Sequence, residues 1–298
     1  MDKVVKEISD YKMFEYKFVG LTSKSSLQWL KYETLLAKSS ESDLLHLCDN
    51  ESPVVRSYAF LGLVEKRSTR IFDVLTNHIH DTGEFERTMG CMVDPCYVTD
   101  FYLEQVGYFP YDSSSSYKIT NQQRNHLDSL MLFGSEIILR MPNYNQIRLR
   151  SRNYMLEHLA QKETYYKRLR EIVLAGVIEA LPALAEFKNP NDASIIIKVS
   201  ENEGLIGERF VFEAISIFPD PDLFPIVEEN IKNDLKNDNE FNFRLYKALV
   251  QYKTQGTRKL LKEAISKFNR ENAKRQLSNI KVLFSKYPDK MFDGLLNQ

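Results

Sequence analysis

Two histidines and two cysteines near residue 90 are the residues of this chain with the types a metal site needs. His78 and His80 are followed by Cys91 and Cys96, all four within 19 residues. Zinc takes four nitrogen and sulfur ligands. The spacing argues against it, because two residues apart on a helix puts His78 and His80 on different sides. Cys91 follows Gly90, and in Gly90-Cys91-Met92-Val93 it reads as a small buried hydrophobe. Structural loop residues are the preferred reading, and no cofactor is expected.

A second chemistry is suggested between residues 146 and 171. Arg148, Arg150, Arg152, Lys162, Lys167, Arg168 and Arg170 stand there against Glu157, Glu163 and Glu171, interleaved with Tyr154, Tyr165 and Tyr166. Basic residues among aromatics can grip a nucleic-acid backbone. Between 220 and 240 the balance reverses, with seven acidic residues against Lys232 and Lys236. Opposite-sign segments fit pairing between neighbouring elements or a polar protein partner equally well, so nucleic acid is not the expected ligand. Nucleophile and phosphate motifs are missing: no P-loop, no Gly-rich dinucleotide turn, no G-x-S-x-G and no H-E-x-x-H. All five histidines precede residue 159. No catalytic residue is assigned.

The residues that could hold a partner must be positioned by helices. Four segments of the C-terminal part superimpose in sequence, each a helix ending in small and apolar residues, a tight turn and a second amphipathic helix. Setting Pro190, Pro221, Gln255 and Asp289 equivalent gives spacings of 31, 34 and 34 residues, a period that marks a stacked helical array. Ala183, Ala214 and Ala248 stand seven before the reference point, with Val282 in the fourth copy. A small residue there lets helices approach closely, and the adjacent Leu184, Ile215, Leu249 and Leu283 fill the layer. A fifth copy starts at Ser52-Pro53, read as N-cap and first helical position, and runs through Val54–Val64, a polar turn at 65–69, and Ile71 to Leu75. Helices are also expected over 26–37 and 44–49.

Residues 81–120 break the pattern. They hold Gly83, Gly90, Gly107, Pro95, Pro110, four consecutive serines (113–116) and five tyrosines, with one short helix expected from Val98 to Val106. A stretch this long between repeats is often functional. Tyr102, Tyr108 and Tyr111 are therefore the candidate partner anchors, with Arg148, Arg150, Arg152, Arg209 and Arg244 as basic ones. For Arg56, Arg209 and Arg244, near the starts of second helices, pairing with acids of a neighbouring repeat is the preferred role.

The Pro53, Val55-Arg56, Ala59 and Gly62-Leu63 pattern, and the Leu184-x-x-Phe187-x-x-Pro190-x-Asp192 turn, resemble the HEAT-repeat family and its short HEAT-like, armadillo-like relatives. The resemblance spans about 44–75 and 165–298. The unit is shorter here than the family's typical length of about 40 residues or more, and tetratricopeptide and ankyrin signatures are absent. The resemblance implies an all-α fold, a right-handed α-α superhelix, as a single solenoid across 1–298 with a non-repeat insertion at 81–120. It implies a non-catalytic scaffold for a protein or peptide. The family also includes DNA-glycosylase-type enzymes and bilin-lyase-like or chaperone-like proteins, which stand as the alternatives. With 298 residues, 40 basic against 41 acidic, and three cysteines, neither a strongly charged partner nor an oxidising compartment is called for. Charges interrupt the first ten residues, and no apolar run approaches a membrane span. A cytoplasmic protein without membrane contact is expected.

Overall fold

From Val54 to Val64 the chain has helical character but no polar face, and a helix that is apolar all round must be covered on all sides. The computed structural model shows how that is done. It describes every residue except 21–23, 111–115, 135–149, 203–204, 238–240, 271–272 and 298. The chain divides into two compact units, Met1–Ala160 and Gln161–Gln298.

In order, unit 1 comprises α1 (Asp2–Tyr11), β1 (Met13–Val19), β2 (Lys24–Ser25), α2 (Leu27–Lys38), α3 (Glu41–Leu47), α4 (Pro53–Glu65), α5 (Ile71–Asn77), β3 (Glu84–Gly90), β4 (Met92–Tyr97), α6 (Val98–Gln105), α7 (Asn121–Phe133) and α8 (Arg150–His158). Helix α4 is the centre, with every residue from Val54 to Val64 except Arg56 buried. Helices α1, α2, α3, α5 and α6 and strands β1 and β3 all pack on it. At Gly62 the approach is close, since a Cβ there would meet Leu36 and Leu44 methyls at 3.2 Å.

The expectation of an all-α fold needs correction. Unit 1 contains a four-stranded mixed sheet in the order β2-β1-β3-β4, with β1 and β3 parallel and both outer pairs antiparallel. The physical reason is period-two alternation, Phe14, Tyr16 and Phe18 against Glu15 and Lys17 in β1, and Phe85 and Arg87 against Glu84 and Glu86 in β3. Pro95 is accommodated because β4 is an edge strand. Gly90, at φ 61°, supplies the left-handed residue of the two-residue turn into β4. The described residues of 81–120 thus include two of the four strands and helix α6 of unit 1.

Aromatic rings lock this sheet onto α4. Phe14 stacks on Tyr58 at 4.3 Å and tilts against Phe101 at 4.7 Å, while Phe60 stacks on Tyr102 at 3.8 Å. The Tyr58 hydroxyl accepts from the Glu15 backbone N–H at 2.9 Å and donates to the Glu15 carbonyl at 2.7 Å, pinning β1 to the helix.

Unit 2 is helical throughout its described residues: α9 (Glu163–Leu174), α10 (Leu181–Ala185), α11 (Ala193–Asn202), α12 (Leu205–Ile217), α13 (Phe224–Asn237), α14 (Phe243–Gln251), α15 (Gln255–Arg270) and α16 (Lys274–Lys286). Helices α10, α12, α14 and α16 pack in succession, each against the next. Helices α11, α13 and α15 pair with α12, α14 and α16, and α13 also meets α15.

A repeated cap explains the period. Asn189, Asp220 and Asp289 each accept, through Oδ1, the N–H two residues on, at 3.0 Å. Thr254 Oγ1 accepts from Thr257 N at 3.2 Å. Lys188 and Lys253 precede their caps in the left-handed conformation, whereas prolines precede Asp220 and Asp289. These caps place the fourth copy one residue later than the sequence alignment. Hence Val282, expected at the small-residue position, is 45% exposed, while Leu283 is fully buried as expected of a layer-filling residue. Ala214 and Ala248 are fully buried. Among the described residues, no helix is long and apolar enough to cross a membrane.

Removing the Tyr58 hydroxyl strands a buried Glu15 N–H. Tyr58→Phe is expected to cost about 1–3 kcal/mol, read as a lower urea midpoint with an unchanged m-value and native far-UV dichroism.

Candidate functional site

The groups with the most chemical potential lie in unit 1, and they are engaged in structure. Asp81, in the turn before β3, accepts from the Arg56 guanidinium at 3.0 Å and from Gly83 N at 2.8 Å. Its other oxygen lies 2.8 Å from Arg56 Nε and 3.6 Å from His78 Nδ1, while His78 Nε2 lies 3.3 Å from Asp49. Burial alone would raise the Asp81 pKa; hydrogen bonds from His78 and Gly83 and the Arg56 charge hold it below the usual 3.8. Cys48 is nearby, its pKa raised by burial despite the Tyr102 hydroxyl beside it, and pushed up to about 12. A thiol held protonated at neutral pH is a poor nucleophile. The Cys, His and Asp here do not form a nucleophilic triad in working order.

The four zinc candidates do not come together. Cys91 is the exposed turn residue between β3 and β4. Cys96 is buried, and burial first, tempered by the Arg87 charge, pushes its thiol up to about 12. His80 is partly buried, which lowers its imidazole pKa from 6.5. Among the described residues no three His, Cys, Asp or Glu side chains are placed to hold a metal ion.

Two of the three tyrosine anchors are corrected as well. Tyr102 and Tyr108 are 0% and 1% exposed, so neither is displayed to a partner. Tyr102 lies on Phe60 and donates to the Arg56 carbonyl at 3.1 Å; Tyr108 donates to Asp128 at 2.6 Å beneath the Arg124 guanidinium. These rings are cover for the apolar helices, which their sequence context in a Gly- and Ser-rich stretch did not reveal. Tyr111 and Arg148 lie outside the described residues.

The basic candidates are dispersed. Arg150 lies over Phe109 at 4.8 Å and 3.5 Å from Glu104, and its backbone N–H donates to Asp100 at 2.8 Å. Asp100 also accepts from the Ser151 N–H at 3.0 Å, so an α6 carboxylate caps the start of α8. Arg152, at 3% exposure, points into unit 1 rather than out of it. In unit 2, Arg209 lies against Phe210 at 4.2 Å, and both Arg209 and Arg244 are exposed. The pairing expected of them is made instead by Lys247 with Glu213 at 2.6 Å and Lys253 with Asp289 at 3.2 Å. Arg56 pairs with Asp81, which lies in the turn before β3 rather than in a neighbouring helical repeat.

Unit 2 holds an open cleft of about 340 Å³. Three helices line it, each with one face at helical spacing: Ile197, Ser200 and Glu201 of α11; Glu208, Val211 and Phe212 of α12; and Ile226, Glu229, Asn230 and Asn233 of α13. A neighbouring stripe of α13, Val227 and Ile231, with Leu223 in the turn just before it, is what seats it in the core. Val211 and Phe212 form a buried floor, and Ile197 and Ile226 are half-buried walls. Ser200 and Asn230 turn back onto the Ile197 and Ile226 carbonyls of their own helices, at 2.7 and 2.9 Å. Burial, and the neighbouring Asp234 charge, raise the Glu208 pKa above its usual 4.5. The cleft therefore has apolar walls and an acidic rim. Its signal in sequence was the face shared by Ile226, Glu229, Asn230 and Asn233, hidden inside the acidic run from 220 to 240. No family model, curated protein or solved structure matches the chain.

Two outcomes follow from the buried chemistry. Under native conditions Ellman's reagent should modify about one thiol, Cys91, with Cys48 and Cys96 reacting after denaturation; fast native reaction of Cys91→Ser would contradict this assignment. Because Asp81 has a depressed folded pKa, its stabilisation is complete above the unfolded value and lost as pH falls through the folded one. Urea midpoints measured from about pH 5 down to about pH 2 should fall less steeply in Asp81→Asn than in wild type.

Proposed function

We propose that this chain is a non-catalytic scaffold for a protein or peptide, with unit 2 a short HEAT-like, right-handed helical solenoid that presents the α11–α13 cleft to its partner. The observation that carries this reading is the cleft, whose half-buried apolar walls, Ile197 and Ile226, stay open between successive helix pairs. Such pairs bury their inner faces against the next pair and leave a continuous outer surface for recognition. The repeated Asn189, Asp220, Thr254 and Asp289 caps and the sequential packing of α10, α12, α14 and α16 support the repeat reading. The engagement of Asp81, Cys48, Asp100 and Arg56 in structural bonds supports a binding role over a catalytic one.

The test is selection of random displayed peptides on the whole chain, followed by polarisation binding of synthetic versions. Enriched peptides should lose at least about tenfold in affinity for Ile226→Arg, a variant that fills the cleft from a half-buried wall and should unfold at the wild-type temperature. If no peptide is enriched, or if every enriched peptide binds Ile226→Arg as well as wild type, the reading fails.

A further inference from the structure

We infer that the α11–α13 cleft receives a cationic, partly apolar peptide segment: an aliphatic or aromatic side chain against the half-buried Ile197 and Ile226 walls, flanked by lysines or arginines that meet Glu201, Glu208 and Glu229. This rests on the scaffold reading above and names the chemistry of the partner.

Charge complementarity carries it. Among the described residues, none of the three rim glutamates has an ion-pair partner, and no cation lines the cleft. Two nearby lysines are paired away from the cleft, Lys232 with Glu228 at 2.8 Å and Lys247 with Glu213 at 2.6 Å. Glu208 faces a like charge in Asp234 and is partly stripped of water, so the unliganded cleft carries an electrostatic cost that a cation would relieve. The glutamates come from three different helices and are not placed to close on one ion, since no metal-holding group of carboxylates forms among the described residues. Spread carboxylates suit cations spaced along a chain. An anionic ligand, phosphate or nucleic acid backbone would be repelled at the same rim.

The volume sets the scale. About 340 Å³ lies at the small end of the roughly 300–1,000 Å³ of ligand clefts, room for one or two side chains rather than a whole helix. Affinity then comes from an apolar anchor, and selectivity and association rate from the charged rim.

The experiment uses two labelled twelve-residue peptides, one of alternating leucine and lysine blocks and one with glutamate in place of every lysine, titrated against the full chain. The lysine peptide should bind at least about tenfold tighter than its counterpart and weaken as salt rises. The double variant Glu201→Lys/Glu229→Lys reverses two exposed rim charges without touching the core, and should lose at least about tenfold for the lysine peptide. An equal charge change outside the cleft, Asp222→Lys/Glu263→Lys, should leave binding near wild type. Equal binding of both peptides, indifference to the rim reversal, or an equal loss in the control double variant overturns the inference. If displayed peptides that depend on Ile226 prove neutral or acidic, the basic partner is wrong while the scaffold reading stands; if no cleft-dependent peptide exists at all, both fall together.

Discussion

Helix α4 imposes the constraint on which unit 1 depends. Ten of its side chains or backbone sites are buried, from Val54 to Val64 with only Arg56 excepted, so it has no face to give to water. Two further helices would leave part of it bare. The chain answers with helices on several sides and a sheet on the rest, and the sheet is held by rings, Phe14 against Tyr58 and Phe101. Stacked and edge-on aromatic pairs of this kind are each worth about 0.5–1.5 kcal/mol beyond their burial. Tyr58 adds direction by binding both backbone groups of Glu15. The polar groups around α4 follow from the same demand: once Arg56 is carried at the edge of a buried helix, it needs Asp81, and Asp81 in turn collects His78 and Gly83 N–H.

Unit 2 meets a smaller version of the problem repeatedly. Each helix pair has two apolar faces and buries them against its neighbours, and the turn between pairs must stop one helix and start the next. The capping oxygens at 189, 220, 254 and 289 do the starting, by accepting an N–H that the new helix cannot satisfy itself. A left-handed lysine or a proline before each cap does the stopping. Lysine tolerates the left-handed region at some cost, and that cost falls at exposed turn positions where the side chain is unhindered.

Much of the helical organisation was legible in the sequence because its signals are local. Pro53 marks the start of α4, the Asp220-Pro221 and Asn189-Pro190 turns mark their helices, and Val98–Val106 anticipates α6 within a residue. The sheet was equally written in, as Phe14, Tyr16 and Phe18 alternating with Glu15 and Lys17, but β1 and β3 are separated by four helices and their pairing has no local signature. Glycine, proline and serine in 81–120 read as loop, although a turn glycine and an edge-strand proline are compatible with strands on either side. The same long-range blindness governs the site residues. Tyr102 has the composition of an anchor and the surroundings of a core residue, and only the neighbour Phe60, 42 positions earlier, decides between them. The cleft went unread for a related reason: its floor and two walls come from three helices, none of which looks unusual alone.

The distribution of polar groups between the units bears on function more than any single motif. In unit 1 the buried Asp100 and the half-buried Asp81 are satisfied by several donors, and the buried thiols are held protonated. Buried groups satisfied in this way stabilise one conformation and have no capacity left for a ligand. Unit 2 inverts the arrangement. Lys247 is spent on Glu213 of a neighbouring helix and Lys232 on Glu228 of its own, whereas Glu201, Glu208 and Glu229 gather at the cleft rim with no ion-pair partner among the described residues. Folding gains nothing from like charges placed together, and Glu208 is left with a carboxyl that burial and Asp234 both disfavour in its ionised form. A feature that the fold does not use, and that costs it something, is where an interaction with another molecule is best sought.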